Sequence, residues 1–251
     1  MSEMKRRDFI KMLGLGLAGF TLRPASELLG APQAGHGSEK KWAMLVDLNA
    51  CVKKGECTDC ISACHRIHNV PNFHDTNHEI KWLWTAPFSD VFPEQQHLHV
   101  NERLSRRPVL VLCNHCESPP CVPVCPTKAT FQRSDGLVMM DFHRCIGCRY
   151  CMAACPYGSR SFNWQDPKPA LAKINEAFPT RTKGVVEKCS FCDERLAKGL
   201  IPACVEACKE KGLFFGDLNN PDSRIRRILA KRFVIRRKPE LGTNPKVYYL
   251  V

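Results

Sequence analysis

Sixteen cysteines stand in this chain of 251 residues, and they fall into four groups of four with none left over. The first group, CVKKGECTDCISAC, is spaced C-x5-C-x2-C-x3-C from Cys51 to Cys64. The second, CNHCESPPCVPVCP, begins at Cys113 with the spacing C-x2-C-x4-C-x3-C-P. The third, CIGCRYCMAACP, begins at Cys145 with C-x2-C-x2-C-x3-C-P, and the last, CSFCDERLAKGLIPACVEAC, runs C-x2-C-x11-C-x3-C from Cys189 to Cys208. Around them stand 18 prolines and 15 glycines, with few aromatics. Such a chain makes many turns and few long elements, so something besides apolar burial must hold it.

The third group is the bacterial ferredoxin run, which holds iron–sulfur clusters. A looping C-x2-C-x2-C backbone brings three thiolates to three corners of one cubane, and the cysteine after x3 begins a helical turn that reaches a neighbouring cluster. Pro126 and Pro156 follow the fourth cysteines, where a missing N–H and a fixed φ set the turn. Zinc ribbons use C-x2-C pairs but not four tetrads with an x3 fourth cysteine, and a disulfide framework has no need of a repeated run.

Because each fourth cysteine serves a neighbour, groups must pair. The second and third are separated only by residues 126–144, so they pair with each other, and the first pairs with the last. The assignment is Cys51, Cys57, Cys60 and Cys208 for cluster 1, and Cys64, Cys189, Cys192 and Cys204 for cluster 2. Cluster 3 takes Cys113, Cys116, Cys121 and Cys155, and cluster 4 takes Cys125, Cys145, Cys148 and Cys151. All sixteen are iron ligands of four [4Fe–4S] clusters on this reading. At Cys51 the x5 spacing lengthens the turn by three residues. Gly55 lets that loop bulge; the alternative is a three-iron cluster lacking this ligand.

The expected fold is α+β and loop-rich. It has two ferredoxin-like two-cluster modules, the inner one (113–184) inserted into the outer one (41–112 with 185–251). WAMLVDL, GLVMMDF and KVYYLV read as strands. Short helices are expected after the fourth cysteines and over FCDERLAKG and PACVEAC. SRIRRILAKRF reads as an amphipathic helix with Ile225, Ile228, Leu229 and Phe233 along one side. Residues 65–108 hold six of the nine histidines and read as an exposed polar insertion. Its aromatics Trp82, Trp84, Phe88 and Phe92 either cap the core or form a docking surface.

A formal charge of +12 suggests nucleic acid or an acidic surface until the thiolates are counted. Sixteen thiolates, offset by about +2 for each of four oxidised cores, leave the loaded protein near about +4. The basic excess then balances buried anionic clusters, and a nucleic-acid partner is not expected.

At the N-terminus, KRRDFIK precedes an apolar run of 11 residues from Met12 to Leu22, short of the ~20 that span a bilayer. Residues 1–34 read as a twin-arginine leader, with Phe9, Ile10 and Lys11 at the matching offsets. Cleavage near Ala34 and retention as an anchor both stay open. That route carries folded proteins, so thiols already occupied by iron reach the extracytoplasmic face of the membrane protected from oxidation.

The stretch from CNHCESPPCVPVCP through CMAACPYGSRSFN, with VEKCSFCDERLAKG, FGDL and LGTNPKVYY, resembles the four-cluster electron-transfer subunits of membrane oxidoreductases. These include the iron–sulfur subunits of dimethyl sulfoxide, polysulfide and formate-linked nitrite reductases. The resemblance covers residues 41–251 and implies the same crossed pairing of groups; Lys209 departs from it, where a proline normally follows the last cysteine. Within the family the leader and the segment after the first group are most similar to subunit O of the sulfite-reductase-linked DsrMKJOP complex. That likeness implies single-electron transfer between a multihaem cytochrome c and a polytopic quinone-reacting membrane subunit, with membrane association through partners or the leader. The equivalent subunit of a nitrite, polysulfide or thiosulfate reductase complex is the alternative. No phosphate loop, nucleophile triad or carboxylate pair points to a substrate site of its own.

Overall fold

In WAMLVD the apolar residues run without a break, which suits a strand buried on both faces. This is β1 (Trp42–Asp47) in the computed structural model, which describes residues 40–52, 57–97 and 99–251. The expected leader and the Gly55 bulge lie outside the described residues. In chain order the strands that follow are β2 (Leu83–Pro87), β3 (Pro108–Leu112), β4 (Thr130–Gln132), β5 (Val138–Met140) and β6 (Ser161–Phe162). Then come β7 (Val186–Glu187), β8 (Leu213–Asp217), β9 (Val234–Ile235) and β10 (Val247–Leu250).

β1 is central in a four-stranded sheet of order β8-β1-β10-β9. It runs antiparallel to β8, with Leu45 opposite Phe214, and parallel to β10, with Met44 opposite Val247. Alternation along β1 divides the molecule. Met44 and Val46 face a core that also holds Cys60, Cys64, Cys189, Cys204 and Phe92. Ala43 and Leu45 face the other way, onto Ile225 of the helix Arg224–Leu229. The remaining ladders are two-stranded: β2 with β3, β4 with β5, and β6 with β7.

The helices are short. The nine-residue Asp59–Ile67 packs against Ala203–Ala207, and the other described helices have six residues or fewer. The expected helices at FCDERLAKG and PACVEAC are present as Asp193–Leu196 and Ala203–Ala207. The helices expected after the fourth cysteines are not. Cys64 lies inside Asp59–Ile67, while Cys155 and Cys208 come just after Tyr150–Ala153 and Ala203–Ala207. A helix brings the fourth cysteine into place rather than leading away from it.

Residues 65–108 are not the exposed insertion that their polarity suggested. Trp82, Phe88, Val91 and Phe92 are buried, and Trp84 is partly buried against them, so these aromatics fill the core. Trp82 is satisfied there because its indole N–H donates to the buried Glu187 carboxylate at 2.7 Å. The basic C-terminal helix also differs from expectation. It ends at Leu229, and Phe233 is 74% exposed instead of continuing the apolar side. No helix among the described residues is long and apolar enough to cross a membrane.

Candidate metal centres

Two helices side by side assemble the cysteines of the first and last groups. Asp59–Ile67 carries Cys60 and Cys64, and Ala203–Ala207 carries Cys204, with Cys208 at its end. The i, i+4 spacing in each places two sulfurs one turn apart on one face. Cys60 and Cys208 meet Cys51 and Cys57 at one end. Burial and the neighbouring sulfurs of Cys208, Cys60 and Cys57 push the Cys51 thiol up to about 12. Cys64 and Cys204 meet Cys189 and Cys192 at the other. There burial, then the adjacent sulfurs, raise both helix thiols well above their ordinary value. The sulfurs that act on Cys51 are thus those of Cys208, Cys60 and Cys57.

The second and third groups make two further sites around β4, β5, β6 and β7. Cys113, Cys116, Cys121 and Cys155 line one small pocket, together with Arg160. Cys125, Cys145, Cys148 and Cys151 line another. In the CIGC turn Gly147 has φ +71°, and a Cβ there would lie 2.3 Å from the Gly184 carbonyl oxygen, so no side chain fits.

The donors around the sulfurs suit thiolates. Backbone N–H groups of Thr130, Val186, Phe191 and Ala203 point at Cys125, Cys145, Cys189 and Cys192 over 3.3 to 3.5 Å. Phe191 and Cys192 both take left-handed backbone. At Cys125 burial raises the thiol, but the donors from Thr130, Thr127 and Ala129 outweigh it and lower it overall. Elsewhere burial dominates: Cys60 rises to about 11 and Cys116 to about 12. Thiols raised so far ionise at neutral pH only beside a strong positive charge, which bound iron supplies.

All sixteen cysteines are free thiols. Four thiols per site at ferredoxin spacings suit a [4Fe–4S] core.

The four sites also have an order. The Cys60 sulfur acts on Cys64 and Cys204, joining the first site to the second. Cys113 acts on Cys189, joining the second to the third, and Cys121 acts on Cys151, joining the third to the fourth. These electrostatic neighbours link the sites in the order first, second, third, fourth.

Several polar residues at the sites carry no signal in the cysteine spacing. Arg160 donates to the Cys121 sulfur at 3.1 Å. His115 is buried and stacked on Phe191 at 3.9 Å; it accepts from the Val138 N–H and is paired with the Cys189 carbonyl. Burial, then Lys188 and Lys246, lower its pKa well below the usual range, so it is neutral. His68 does carry a signal: it continues the i, i+4 row of Cys60 and Cys64, and its ring lies 3.6 Å from the Cys64 sulfur and 3.0 Å from Glu194. Burial opposes its charge, but Cys192 and Glu194 outweigh that and raise it to about 9.

Comparison with known proteins agrees with this geometry. Residues 109–173 and 144–213 each match a family described as a 4Fe-4S dicluster domain. Two dicluster domains and sixteen cysteines make four [4Fe–4S] clusters. The chain is 42% identical to the Hdr-like menaquinol oxidoreductase iron-sulfur subunit 1 of Archaeoglobus fulgidus, over 98% of this chain and 97% of that one. It is 34% identical to the iron-sulfur cluster-binding subunit of a menaquinone reductase from Nitratidesulfovibrio vulgaris, over 84% and 88%. With a protein NrfC homolog of Haemophilus influenzae it shares 34%, over 100% and 96%. The chain belongs to the family of four-cluster iron–sulfur electron-transfer subunits of oxidoreductase complexes.

Proposed function

We propose that this chain is a linear relay, passing single electrons through four [4Fe–4S] clusters between a multihaem cytochrome c and a quinone-reacting membrane subunit. The order of neighbouring sulfurs from Cys60–Cys64 through Cys189–Cys113 to Cys121–Cys151 carries the reading. The ligand sets are the four tetrads named above, Cys51 included. The protein's part is to hold neighbouring sites close and to tune them by burial and by N–H donors on sulfur. It has no substrate site of its own. The similarity to subunits of a menaquinol oxidoreductase and a menaquinone reductase supports the quinone side, and a sulfite-reduction-linked complex of the subunit O type is the assembly it fits.

The pairing of β1 with β8 and β10 supports an outer module closed by both halves of the chain, with the inner module inserted between them. Around the last site Ile146, Tyr150 and Trp164 are exposed, at 67%, 63% and 42%. This apolar rim is the face offered to a partner subunit. The leader places the protein on the extracytoplasmic side of the membrane by the twin-arginine route. A second reading, the equivalent subunit of a nitrite, polysulfide or thiosulfate reductase complex, is favoured by the similarity to the NrfC homolog.

Purified protein is expected to hold about four iron and four sulfide per cluster and to show four one-electron couples in an EPR-monitored titration. Two clusters per chain would overturn the relay. Co-purification from membranes with a multihaem cytochrome and a quinone-site protein favours the first complex, and a pentahaem nitrite reductase the second.

A further inference from the structure

Arg160 is a buried cation without an acidic partner. It is 5% exposed, and among the described residues no carboxylate pairs with its guanidinium. One nitrogen, Nη2, donates to the Cys121 sulfur at 3.1 Å. The other, Nη1, donates to Thr130 Oγ1 at 3.1 Å and reaches the Met140 sulfur at 3.7 Å. The charge of the same guanidinium also acts on Cys151, whose thiol burial raises and Arg160 pulls back.

Cys121 and Cys151 belong to different tetrads, so one fixed charge touches a ligand of one site and acts on a ligand of its neighbour. An unpaired buried charge costs several kcal/mol unless something anionic meets it. The thiolates of two occupied sites are what meets this one. The planar fork explains why the residue is arginine, because a lysine ammonium is a single point and cannot hold the Cys121 sulfur and Thr130 with two separate nitrogens. In the other pair the cation beside sulfur is His68, which is paired with Glu194 and whose sulfur neighbours, Cys64 and Cys192, belong to a single site. The sulfurs of that pair receive backbone N–H groups and the His68 ring.

We propose that Arg160 is a positioning residue that holds the two sites of Cys121 and Cys151 at raised reduction potentials, by presenting one positive charge to both. Each site adds one negative charge when it takes an electron. A fixed cation in a dry interior favours that state, and hydrogen bonds to sulfur act in the same direction. The effect sets these two sites apart from the pair formed by the first and last groups, and makes their potentials move together. The inference rests on the relay reading. A wild-type protein with fewer than four clusters would overturn that reading directly, whatever the variants do.

The test uses the full, cluster-loaded chain as wild type, Arg160→Gln and Arg160→Lys. Iron and sulfide are measured for each, and a dithionite titration is followed by EPR. In Arg160→Gln two of the four couples are expected to fall. The oxidised-to-reduced ratio at a fixed potential should rise at least tenfold, which is 59 mV for a one-electron couple. The other two couples should stay in place. In Arg160→Lys at least one of the same two couples should fall, by less than in the Gln variant. Four unchanged couples in either fully loaded variant would overturn the proposal, as would four that shift together. Loss of iron from both variants would make Arg160 a residue of assembly and overturn the tuning role as well.

Discussion

Both pairs of sites use cysteines one helical turn apart, Cys60/Cys64 with Cys204/Cys208 in one pair and Cys121/Cys125 with Cys151/Cys155 in the other. Their surroundings differ. The first pair is built from segments far apart in sequence and sits in the main core, under β1 and beside Leu48, Phe92 and Tyr249. Cys64 and Cys189 are buried there, at 4% and 8% exposure. The second pair is built within residues 113–155 around a small core of Cys121, Val138, Cys151 and Val186, and its outer end opens at the exposed Ile146 and Tyr150. The site of Cys64 and Cys189 is sealed by apolar packing, the site of Cys51 beside it is half-buried, and the other pair is held by local turns and a guanidinium. A relay needs both kinds of site: a dry interior that keeps the electron from solvent, and an end near enough to the surface to exchange it.

Removing one ligand from each pair tests this difference most strongly. Cys64→Ser is expected to lose both clusters of the first pair and much of the folded protein, because Cys64 is a ligand and a core residue at once. Cys148→Ser, at the open end, should lose or convert one cluster and leave a soluble chain. Iron content and the number of EPR couples check both; equal damage from the two would erase the distinction.

The join between the regions is the next target. Glu187 on β7 is fully buried and accepts from Trp82 at 2.7 Å, from Asn163 at 2.5 Å and from Arg181 Nε at 2.8 Å. Arg181 in turn donates to the carbonyls of His68 and Asn69. Glu187→Ala strands a buried guanidinium and should cost about 3–5 kcal/mol. Calorimetry should show a lower Tm, and two transitions if the regions then unfold separately.

Smaller changes probe the face of the sheet turned away from the clusters. Ile225→Ala removes a fully buried side chain packed on Ala43 and Leu45, and should cost about 2–5 kcal/mol while leaving all four potentials unchanged. A shift in any couple would mean that the sheet does not isolate the sites from its outer face. Least of all, Ser223→Ala removes the cap that accepts the Arg226 N–H at 3.3 Å. Denaturant unfolding should show a loss of about 1 kcal/mol.

How much could be read in advance depended on distance along the chain. The strands at WAMLVDL, GLVMMDF and KVYYLV follow from runs of apolar residues bounded by turns, and the structure has them as β1, β5 and β10. Residues 65–108 misled because polarity averaged over a segment hides the few side chains that face inward. Trp82 is buried because Glu187, more than a hundred residues away, takes its N–H. Phe233 misled in the opposite direction: helical periodicity extended past Leu229, but the helix does not.

The sequence by itself determined the chemistry. Sixteen cysteines at cubane spacings give four tetrads, because loops of two or three residues leave their thiolates few other places to go. Only the tertiary structure decided how the sites stand to one another. Cys113 comes near enough to act on Cys189, and Arg160 donates to Cys121, because strands and helices from distant parts of the chain meet there. Spacing along a backbone constrains a site, while contact between sites and the charge placed between them arise only when the chain closes on itself.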